Sequence, residues 1–472
     1  MQKFKPVNND QIFLLPPSIN EFIDDNHLSK LVSEVVDSLD TKAIESKYSE
    51  LGQKSYHPKL LLKLLFYGYA IGIRSGRKIA TACESDLAFM YLSSMYRPDF
   101  RTINDFRKTN VDIVEKLFVE VLKICSSLQM INIGTIVIDS TKLRANASSR
   151  RTKTYSQYEK WVAGLEQQAK EIMEEAANQD KQEDEKYGES KRGDELPASI
   201  NTREKLKSKI KEVMSKMNLG EKMNLTDNDA KTILNKGSLS ASYNCQAAVT
   251  TNGVIVSAYA TNAASDKEQL LPVIEQAQKN TEQQAVNILA DSGYASYDNY
   301  ELLNELNKTI LVPDQEIAKE AANAIANPFH RTHFTYDSKN NVYICPENKP
   351  LTLYKSNYVH EATKQRGKVY RGIQCSDCSS KSQCTKGAAR QLIVENRMPL
   401  RDKIRKLLDS PDGKKLYKLR QQTIEPVFGN LKHNLKYTML HLRTLKKVNA
   451  EWLLICLTHN LKQIWKTKLQ LS

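Results

Sequence analysis

Two short apolar runs, each ending in an aspartate, constrain the fold of this chain more than any other feature. They are Thr135-Ile-Val-Ile-Asp139 and Val286-Asn-Ile-Leu-Ala-Asp291. Runs this rich in branched apolar residues predict buried β-strands. A single aspartate after a strand is more often a turn former, but strands that end at the same sheet edge would bring both carboxylates together. Such a pair is able to hold two divalent cations about 4 Å apart.

The segments around these runs predict an α/β core with a mixed sheet. Residues 243–259 contain two strand-like runs around Thr251-Asn-Gly, a turn signal that favours a β-hairpin. Ser265-Asp-Lys-Glu268 has the spacing of a capping box, which would open a helix through Gln276. Thr309-Ile-Leu-Val-Pro313 then adds a strand. Strands, a hairpin and crossover helices in this order are typical of a mixed α/β sheet.

The rest of the chain differs in composition from this core. A length of 472 residues predicts roughly two to four structural units. We predict a helical N-terminal domain at 1–128, the α/β core at 129–150 and 223–320, a charged helical insertion at 151–222, a cysteine-rich, turn-rich subdomain at 321–400, and C-terminal helices at 401–472 that complete the core. Within the insertion, we expect helices at 158–177 and 202–217 and a polar linker at 180–194.

The charge balance favours a polyanionic partner. Lysine and arginine outnumber the acidic residues by 69 to 55, which gives a net charge of +14. Arg97, Arg101 and Arg107 cluster around a predicted helix for which Thr102 is the expected cap. Short helices with a basic one last resemble a helix-turn-helix DNA-binding module. They equally fit a helical packing domain with solvated arginines.

The expected location of the protein is the cytoplasm. The N-terminus has no apolar run of the kind found in signal peptides, and no stretch is apolar over the length that a membrane span needs. Cytosolic cysteines stay reduced unless they bind metal.

Four cysteines in the 321–400 segment form a pattern of their own. Cys345 comes first, Cys375-Ser-Asp-Cys378 follows, and Cys384 comes last. Four thiolates with one C-x2-C pair suit tetrahedral zinc, although the spacing also fits plain reduced thiols. The remaining cysteines are expected in the core: Cys83, Cys125, Cys245 and Cys456.

A third acidic residue, Glu425, lies in an amphipathic segment near the C-terminus. Glu425, Phe428 and Lys432 share one helical face by their spacing. Pro426 disfavours helical geometry at the residue before it, so we expect the helix to kink or restart there and to leave Glu425 at an exposed break. The pattern fits a metal-binding acid and a surface helix equally well.

Three motifs in this order resemble those of bacterial insertion-sequence DDE transposases. They are Ile138-Asp-Ser-Thr-Lys142, Leu289-Ala-Asp-Ser-Gly-Tyr294 and Tyr417-x2-Arg420-x4-Glu425-x6-Lys432. The last is similar to the tyrosine-arginine-glutamate-lysine signature of one large group, with a spacing of four rather than three before the glutamate. The N-terminal block from residue 14 to residue 103 and the ending at 451–462 resemble the same enzymes, so the likeness spans nearly the whole chain.

The resemblance implies a ribonuclease-H-like core and the chemistry that goes with it. It implies that Asp139, Asp291 and Glu425 bind two Mg²⁺ (or Mn²⁺) ions, and that the enzyme hydrolyses phosphodiester bonds and then transfers strands. The implied partners are the terminal inverted repeats and target DNA, bound by a homodimer at the nucleoid of a bacterial cell. Expected DNA contacts are Tyr417, Arg420, Lys432, Lys142, Tyr294, Arg97, Arg101 and Arg107. Lys142 and Tyr294 equally fit packing or solvated roles.

Two other functions remain open from the sequence. The same core would serve a nuclease or resolvase that cuts DNA without joining it. A catalytically inactive relative that only binds DNA through its N-terminal helices is the other alternative.

Overall fold

A computed structural model describes most of the chain. The described residues are 18–48, 54–187, 198–218, 220–235, 237–315, 317–359, 361 and 366–471. Residues 14–17, where the resemblance at the N-terminus begins, lie outside them.

Helices follow one another at both ends of the described chain, and strands and helices alternate between these two regions. In order, the helices are α1 Leu28–Ser38, α2 Lys42–Glu45, α3 Pro58–Ala70, α4 Gly76–Ser85, α5 Leu87–Leu92, α6 Phe100–Thr109, α7 Val114–Ser127, α8 Tyr155–Tyr187, α9 Ala198–Met214, α10 Leu270–Thr281, α11 Tyr297–Glu305, α12 Ile317–Ala326, α13 Lys381–Cys384, α14 Met398–Asp409, α15 Pro411–Gly429 and α16 Leu445–Leu471. The strands are β1 Thr135–Arg144, β2 Thr152–Thr154, β3 Lys222–Asn224, β4 Lys231–Asn235, β5 Ser238–Thr250, β6 Ile255–Thr261, β7 Asn287–Ala290, β8 Thr309–Leu311, β9 Thr335–Asp337, β10 Val342–Ile344, β11 Pro350–Val359, β12 Arg366–Gly372 and β13 Gln391–Glu395.

The central sheet is mixed, with β1 in its middle. On one side of β1, β5 pairs with it in antiparallel direction. β5 also pairs antiparallel with β4 and, in a hairpin, with β6. On the other side, β7 is parallel to β1 and β8 is parallel to β7. The first aspartate lies on the central strand, the second directly follows its parallel neighbour, and the helix with Glu425 packs on β1, β5 and β7. These positions confirm the predicted ribonuclease-H-like fold.

One long helix organises the hydrophobic core. α16 packs against β6 of the sheet and against α1, α3 and α7 of the N-terminal region, and its Trp452 and Leu457 are almost fully buried. The buried side chains of the N-terminal helices, the sheet and α16 form one continuous cluster. The N-terminal helices are therefore anchored on the same core that supports the central sheet.

The N-terminal helices confirm the predicted helical region but correct one cap. α6 begins at Phe100, and the Asp99 side chain accepts a hydrogen bond from the Arg101 backbone N–H at 2.7 Å. Thr102, the predicted cap, lies inside the helix. Aspartate is at least as good an N-cap as threonine, so the earlier residue takes the role.

The charged insertion forms two helices with a small core of their own. α8 and α9 contact each other beside the short β2–β3 pair, and Tyr158, Ile210 and Leu225 are buried between them. α8 continues through residues 180–187, where we predicted a linker. Glutamate, lysine and glutamine are good helix formers, so a polar sequence does not end the helix. The rest of the predicted linker, residues 188–194, lies outside the described residues.

The cysteine-bearing segment forms a second sheet rather than only turns. β9 to β13 make a five-stranded antiparallel sheet in the order β13-β12-β11-β10-β9. Phe334, Leu351, Tyr370 and Leu392 form its small core. None of the helices in the described ranges has the length and apolar character of a membrane span.

Candidate active site

The parallel pairing of β1 with β7 brings the two predicted aspartates side by side. Ile138 pairs with Ala290 in the last rung of that ladder, so Asp139 and Asp291 follow at the same sheet edge. The Asp139 Oδ1 accepts a hydrogen bond from the Ser140 backbone N–H at 2.7 Å, and its side chain is 16% exposed. Asp291 is more open, with 42% of its side chain exposed. The predicted proximity of the two acids is confirmed, but β1 does not end at Asp139 as predicted and continues to Arg144.

Arg420 lies against both carboxylates. Its Nη2 donates to Asp139 Oδ2 at 2.9 Å and lies 4.0 Å from Asp291 Oδ2. Burial raises the pKa of Asp139 to about 6, with the charge of Asp291 adding to this rise and that of Arg420 opposing it. Arg420 was predicted as a DNA contact; in the structure its guanidinium provides positive charge beside the acidic pair.

Helix α15 positions Arg420 through its cap and its buried face. Ser410 caps the helix by accepting from the Gly413 backbone N–H at 3.0 Å, and Pro411 occupies the first turn. Ile424 and Val427 are buried against the sheet. These contacts set the rotation of the helix, and the Tyr417 hydroxyl adds a hydrogen bond of 3.4 Å to the Ala290 carbonyl.

Pro426 does not restart the helix as predicted. It lies inside α15, which runs on to Gly429 and then into a π-helical turn, Asn430–Asn434. A proline costs one backbone hydrogen bond, and burial of Ile424 and Val427 on either side holds the helix together here. Glu425 is exposed, but it stands within the helix and not at a break.

The chain as described does not contain a preformed metal centre. Among those residues, no three histidine, cysteine, aspartate or glutamate side chains are grouped so that they would hold an ion. The structure thus brings Asp139 and Asp291 together through Arg420, and it places Glu425 farther along the helix that carries Arg420.

Gly293 lies directly beside the pair and leaves space next to Asp291. A Cβ atom added to Gly293 would lie 2.9 Å from Asp291 Oδ1 and 3.5 Å from Asp266 Oδ2, so the absence of a side chain keeps a gap open between two carboxylates. Carboxylate oxygens are the ligands that Mg²⁺ prefers. Asp291 supplies a carboxylate at this position, whereas the Asp266 oxygens are already bonded to Lys142, Asn244 and Gln246.

Asp266 is a site residue that the sequence did not reveal. We interpreted Ser265-Asp-Lys-Glu268 as a capping box, and the Ser265 hydroxyl does accept from the Lys267 backbone N–H at 3.3 Å. The Asp266 carboxylate instead binds Lys142 Nζ at 3.0 and 3.1 Å. A signal was present: the hairpin makes β6 run in the same direction as β1 and β7, so an aspartate shortly after β6 reaches the same edge as Asp139.

Two of the predicted DNA contacts lie inside the protein. Tyr294 is fully buried, and its hydroxyl donates to the Gln246 side-chain oxygen. Arg107 donates to the Tyr69 hydroxyl at 3.0 Å and to the Arg74 carbonyl at 2.9 Å. In this structure both side chains pack against the protein.

Other predicted DNA contacts lie at the surface. Arg97 and Arg101 are exposed at α6. Lys142 and Lys432 line one groove together with Arg144. The other lining residues are uncharged: Asn235, Ser238, Ser240 and Thr438.

The four cysteines of the second sheet surround one small cavity. Cys345 follows β10, and Cys375, Cys378 and Cys384 lie in the connection between β12 and β13. Burial raises the pKa of the Cys384 thiol, and the other three thiols add to this rise. All four are free thiols, as are the remaining cysteines, which are buried in the core as predicted: Cys83, Cys125, Cys245 and Cys456.

Comparison with known families matches two parts of the chain. The transposase DDE domain family matches residues 344–465, which include Glu425, and a transposase domain family matches residues 17–109, the N-terminal helices. No curated protein matches the chain. Asp139 and Asp291 lie outside both matched segments, so their place in the candidate site rests on the fold. Both matches are to transposase families, and together they support an insertion-sequence DDE transposase.

Proposed function

We propose that this protein binds the ends of an insertion sequence and catalyses metal-dependent hydrolysis and strand transfer at phosphodiester bonds. The observation that carries the proposal is the pair Asp139 and Asp291, held side by side at the edge of the central sheet with Arg420 between them. Two acids this close to each other repel unless a cation neutralises them. Two neighbouring acids in a strongly basic protein favour a reaction in which bound metal cations act on a polyanionic substrate such as DNA.

Asp139, Asp291 and Glu425 are the residues that we propose as metal ligands, for two Mg²⁺ or Mn²⁺ ions. Divalent ions bound there would activate the attacking oxygen and stabilise the leaving oxygen. Asp139 and Asp291 supply the negative charge at the sheet edge, and Glu425 lies exposed on the helix that packs over it. Arg420 offsets part of the negative charge of the pair and offers donors suited to a phosphate oxygen.

The groove beside the acids supports a path for the DNA backbone. Lys142, Arg144 and Lys432 contribute positive charge, and no acidic side chain lines it among the residues that the structure describes. Lysine and arginine that neutralise phosphates release counterions and give salt-dependent affinity. On the N-terminal helices, the exposed Arg97 and Arg101 are the contacts that we propose for the element ends.

A strand-transfer assay with the purified full chain tests this function. Labelled duplexes that carry the element ends, incubated with Mg²⁺ and a target plasmid, should give joined products. Asp139→Ala and Glu425→Ala should bind the same DNA and produce neither cut nor joined strands. Gln422→Ala, an exposed position on the same helix, is the matched control and should retain activity. Cutting without joining would favour a nuclease, and DNA binding without any cutting by the wild type would refute the enzymatic function.

Assembly and location follow from this proposal. Joining needs both element ends in one complex, so we propose a homodimer on DNA, located at the bacterial nucleoid in the cytoplasm. Light scattering on the protein with and without end DNA measures the oligomer directly; one protein copy per end with no paired complex would contradict it.

We also propose a structural zinc ion between the four cysteines of the second sheet. The support is that all four line one cavity next to the core of that sheet; zinc would have to draw them closer, because no three of them are grouped here so that they would hold an ion. Four thiolates are a common ligand set for structural zinc. Metal analysis of protein purified without added zinc should give one ion per chain, and Cys378→Ser should lose it. Zinc-free wild-type protein with an unchanged melting curve would identify the group as reduced thiols.

A further inference from the structure

We propose that Asp266 is a fourth acidic residue of the active site, a positioning residue that holds Lys142 and the Gln246–Tyr294 pair in place beside the catalytic aspartates. The inference rests on the proposed function. It concerns a residue outside the three motifs and outside both family matches.

Hydrogen-bond donors surround the Asp266 carboxylate. Its Oδ1 accepts from Asn244 at 2.7 Å, from Gln246 at 2.8 Å and from Lys142 at 3.1 Å, and its Oδ2 accepts from Lys142 at 3.0 Å. The side chain is only 16% exposed. Burial alone would raise the pKa of Asp266, but the hydrogen bonds and the charge of Lys142 outweigh it and lower the pKa. The carboxylate is therefore an anion whose bonding capacity is used by the protein.

The first consequence concerns Lys142. This lysine lies on β1, the strand that carries Asp139, and its ammonium group is held by Asp266 and by the Ser140 hydroxyl at 3.0 Å. A lysine without a partner at this edge would be attracted to the catalytic acids and would compete with divalent cations for them. The ion pair with Asp266 fixes the ammonium group in the wall of the basic groove.

The second consequence concerns the turn after Asp291. Gln246 donates to Asp266 and accepts from the Tyr294 hydroxyl, so one side chain links Asp266 to the turn Ser292–Tyr294. Asn299 adds a parallel link, because its amide donates to the Lys267 and Tyr294 carbonyls at 2.7 Å each. Asp266 is thus bonded to both elements that set the position of the catalytic pair, β1 through Lys142 and the turn after β7 through Gln246.

A positioning role differs from metal ligation in what it predicts. Since three side chains already occupy the Asp266 oxygens, its loss should disturb geometry more than ion affinity. Residues that orient metal ligands through hydrogen bonds typically contribute about 10- to 100-fold to activity. We therefore expect Asp266→Asn to lower the single-turnover cleavage rate by about that factor, with end-DNA binding and the Mg²⁺ concentration for half-maximal rate changed less than about threefold.

The experiment is a double-mutant cycle on cleavage of end DNA by the full chain. Asp266→Asn, Lys142→Met and the double variant are compared with Glu268→Gln, an exposed acid in the same turn that should behave as wild type. If Asp266 acts in part through Lys142, the double variant should be less than about threefold slower than the slower single variant. Fully multiplying effects, or Asp266→Asn at the wild-type rate, would overturn the proposal.

Two further outcomes are decisive as well. A large increase in the Mg²⁺ requirement of Asp266→Asn would make Asp266 a metal ligand and overturn the positioning role. An inactive wild type would overturn the proposed function and this inference together, whereas an active wild type beside an unaffected Asp266→Asn variant overturns the inference alone. Should Asp266→Asn fail to melt cooperatively, Lys142→Met replaces it, and full activity of that variant refutes the proposal.

Discussion

Replacing Asp139 by asparagine should stabilise the metal-free protein at neutral and alkaline pH while abolishing its proposed activity. The Asp139 carboxylate is largely buried, lies beside Asp291, and has Arg420 as its charged partner of opposite sign among the described residues. Its ionisation in the folded chain is therefore unfavourable until a divalent cation arrives. Asparagine has nearly the same shape and carries no charge.

The magnitude follows from the raised pKa. Asp139 has an ordinary pKa of 3.8 and a folded pKa of about 6, a difference worth roughly 3 kcal/mol once the pH exceeds 6. The two Asp139 oxygens accept hydrogen bonds from the Ser140 backbone N–H and from Arg420. In asparagine an NH₂ group replaces one of these oxygens, so one hydrogen bond is lost and two donors face each other, which costs about 1–2 kcal/mol. The net gain in the free energy of unfolding at pH 8 should be about 1–2 kcal/mol.

The sign of the pH dependence is fixed by the direction of the pKa change. A carboxyl group whose pKa is raised by folding contributes stability that is fully present below pH 3.8 and is lost as the pH rises to about 6. Above that range the loss no longer changes with pH, and it equals the free-energy cost of the buried charge. The advantage of Asp139→Asn should therefore be present at pH 8 and vanish near pH 4.

Urea unfolding followed by circular dichroism, in EDTA at pH 4, 6 and 8, measures this difference. Asp105→Asn, which removes an aspartate with 69% of its side chain exposed, is the control and should change stability by less than about 0.5 kcal/mol. An Asp139→Asn variant less stable than wild type at pH 8, or a stabilisation that is the same at all three pH values, would refute the reasoning.

Three further predictions concern other parts of the molecule. Glu451→Ala should destabilise the protein by about 3–5 kcal/mol in urea unfolding, because it leaves buried Arg74 without its anionic partner at 3.4 Å; a loss under about 1 kcal/mol would contradict this. Lys432→Ala should weaken binding of any duplex and make the slope of log affinity against log salt shallower by about one, as measured by fluorescence anisotropy; an unchanged slope would remove Lys432 from the DNA path. Gly293→Ala should slow Mg²⁺-dependent cleavage by at least about tenfold with nearly unchanged stability, because the new methyl group would lie 2.9 Å from an Asp291 oxygen; wild-type rates at low Mg²⁺ would show that the gap is not used.

Local patterns in the sequence were sufficient for the strands and the central pair of acids. Apolar runs that end in Asp139 and Asp291 are strands β1 and β7, and the Thr251-Asn-Gly turn joins β5 to β6. These predictions succeed because the alternation of side chains and the turn chemistry act over a few residues. Pro426 shows the limit of such rules: the predicted break at Glu425 is absent, because α15 runs through Pro426 to Gly429, while the alternative of a kink stays a prediction.

What the sequence by itself determined is the pair of apolar strands that carry Asp139 and precede Asp291, although β1 runs on past Asp139 to Arg144 and the sheet β9–β13 was not predicted. Only the tertiary structure decided which cations and acids surround these two aspartates. The rotation of α15 on the sheet placed Arg420 on the pair, and the direction of β6 brought Asp266 to the same edge. The fold also buried Tyr294 and half-buried Arg107, each with a side-chain hydrogen-bond partner from a distant segment. The physical reason is that contacts between distant segments depend on strand direction and helix rotation, which no short stretch of sequence encodes.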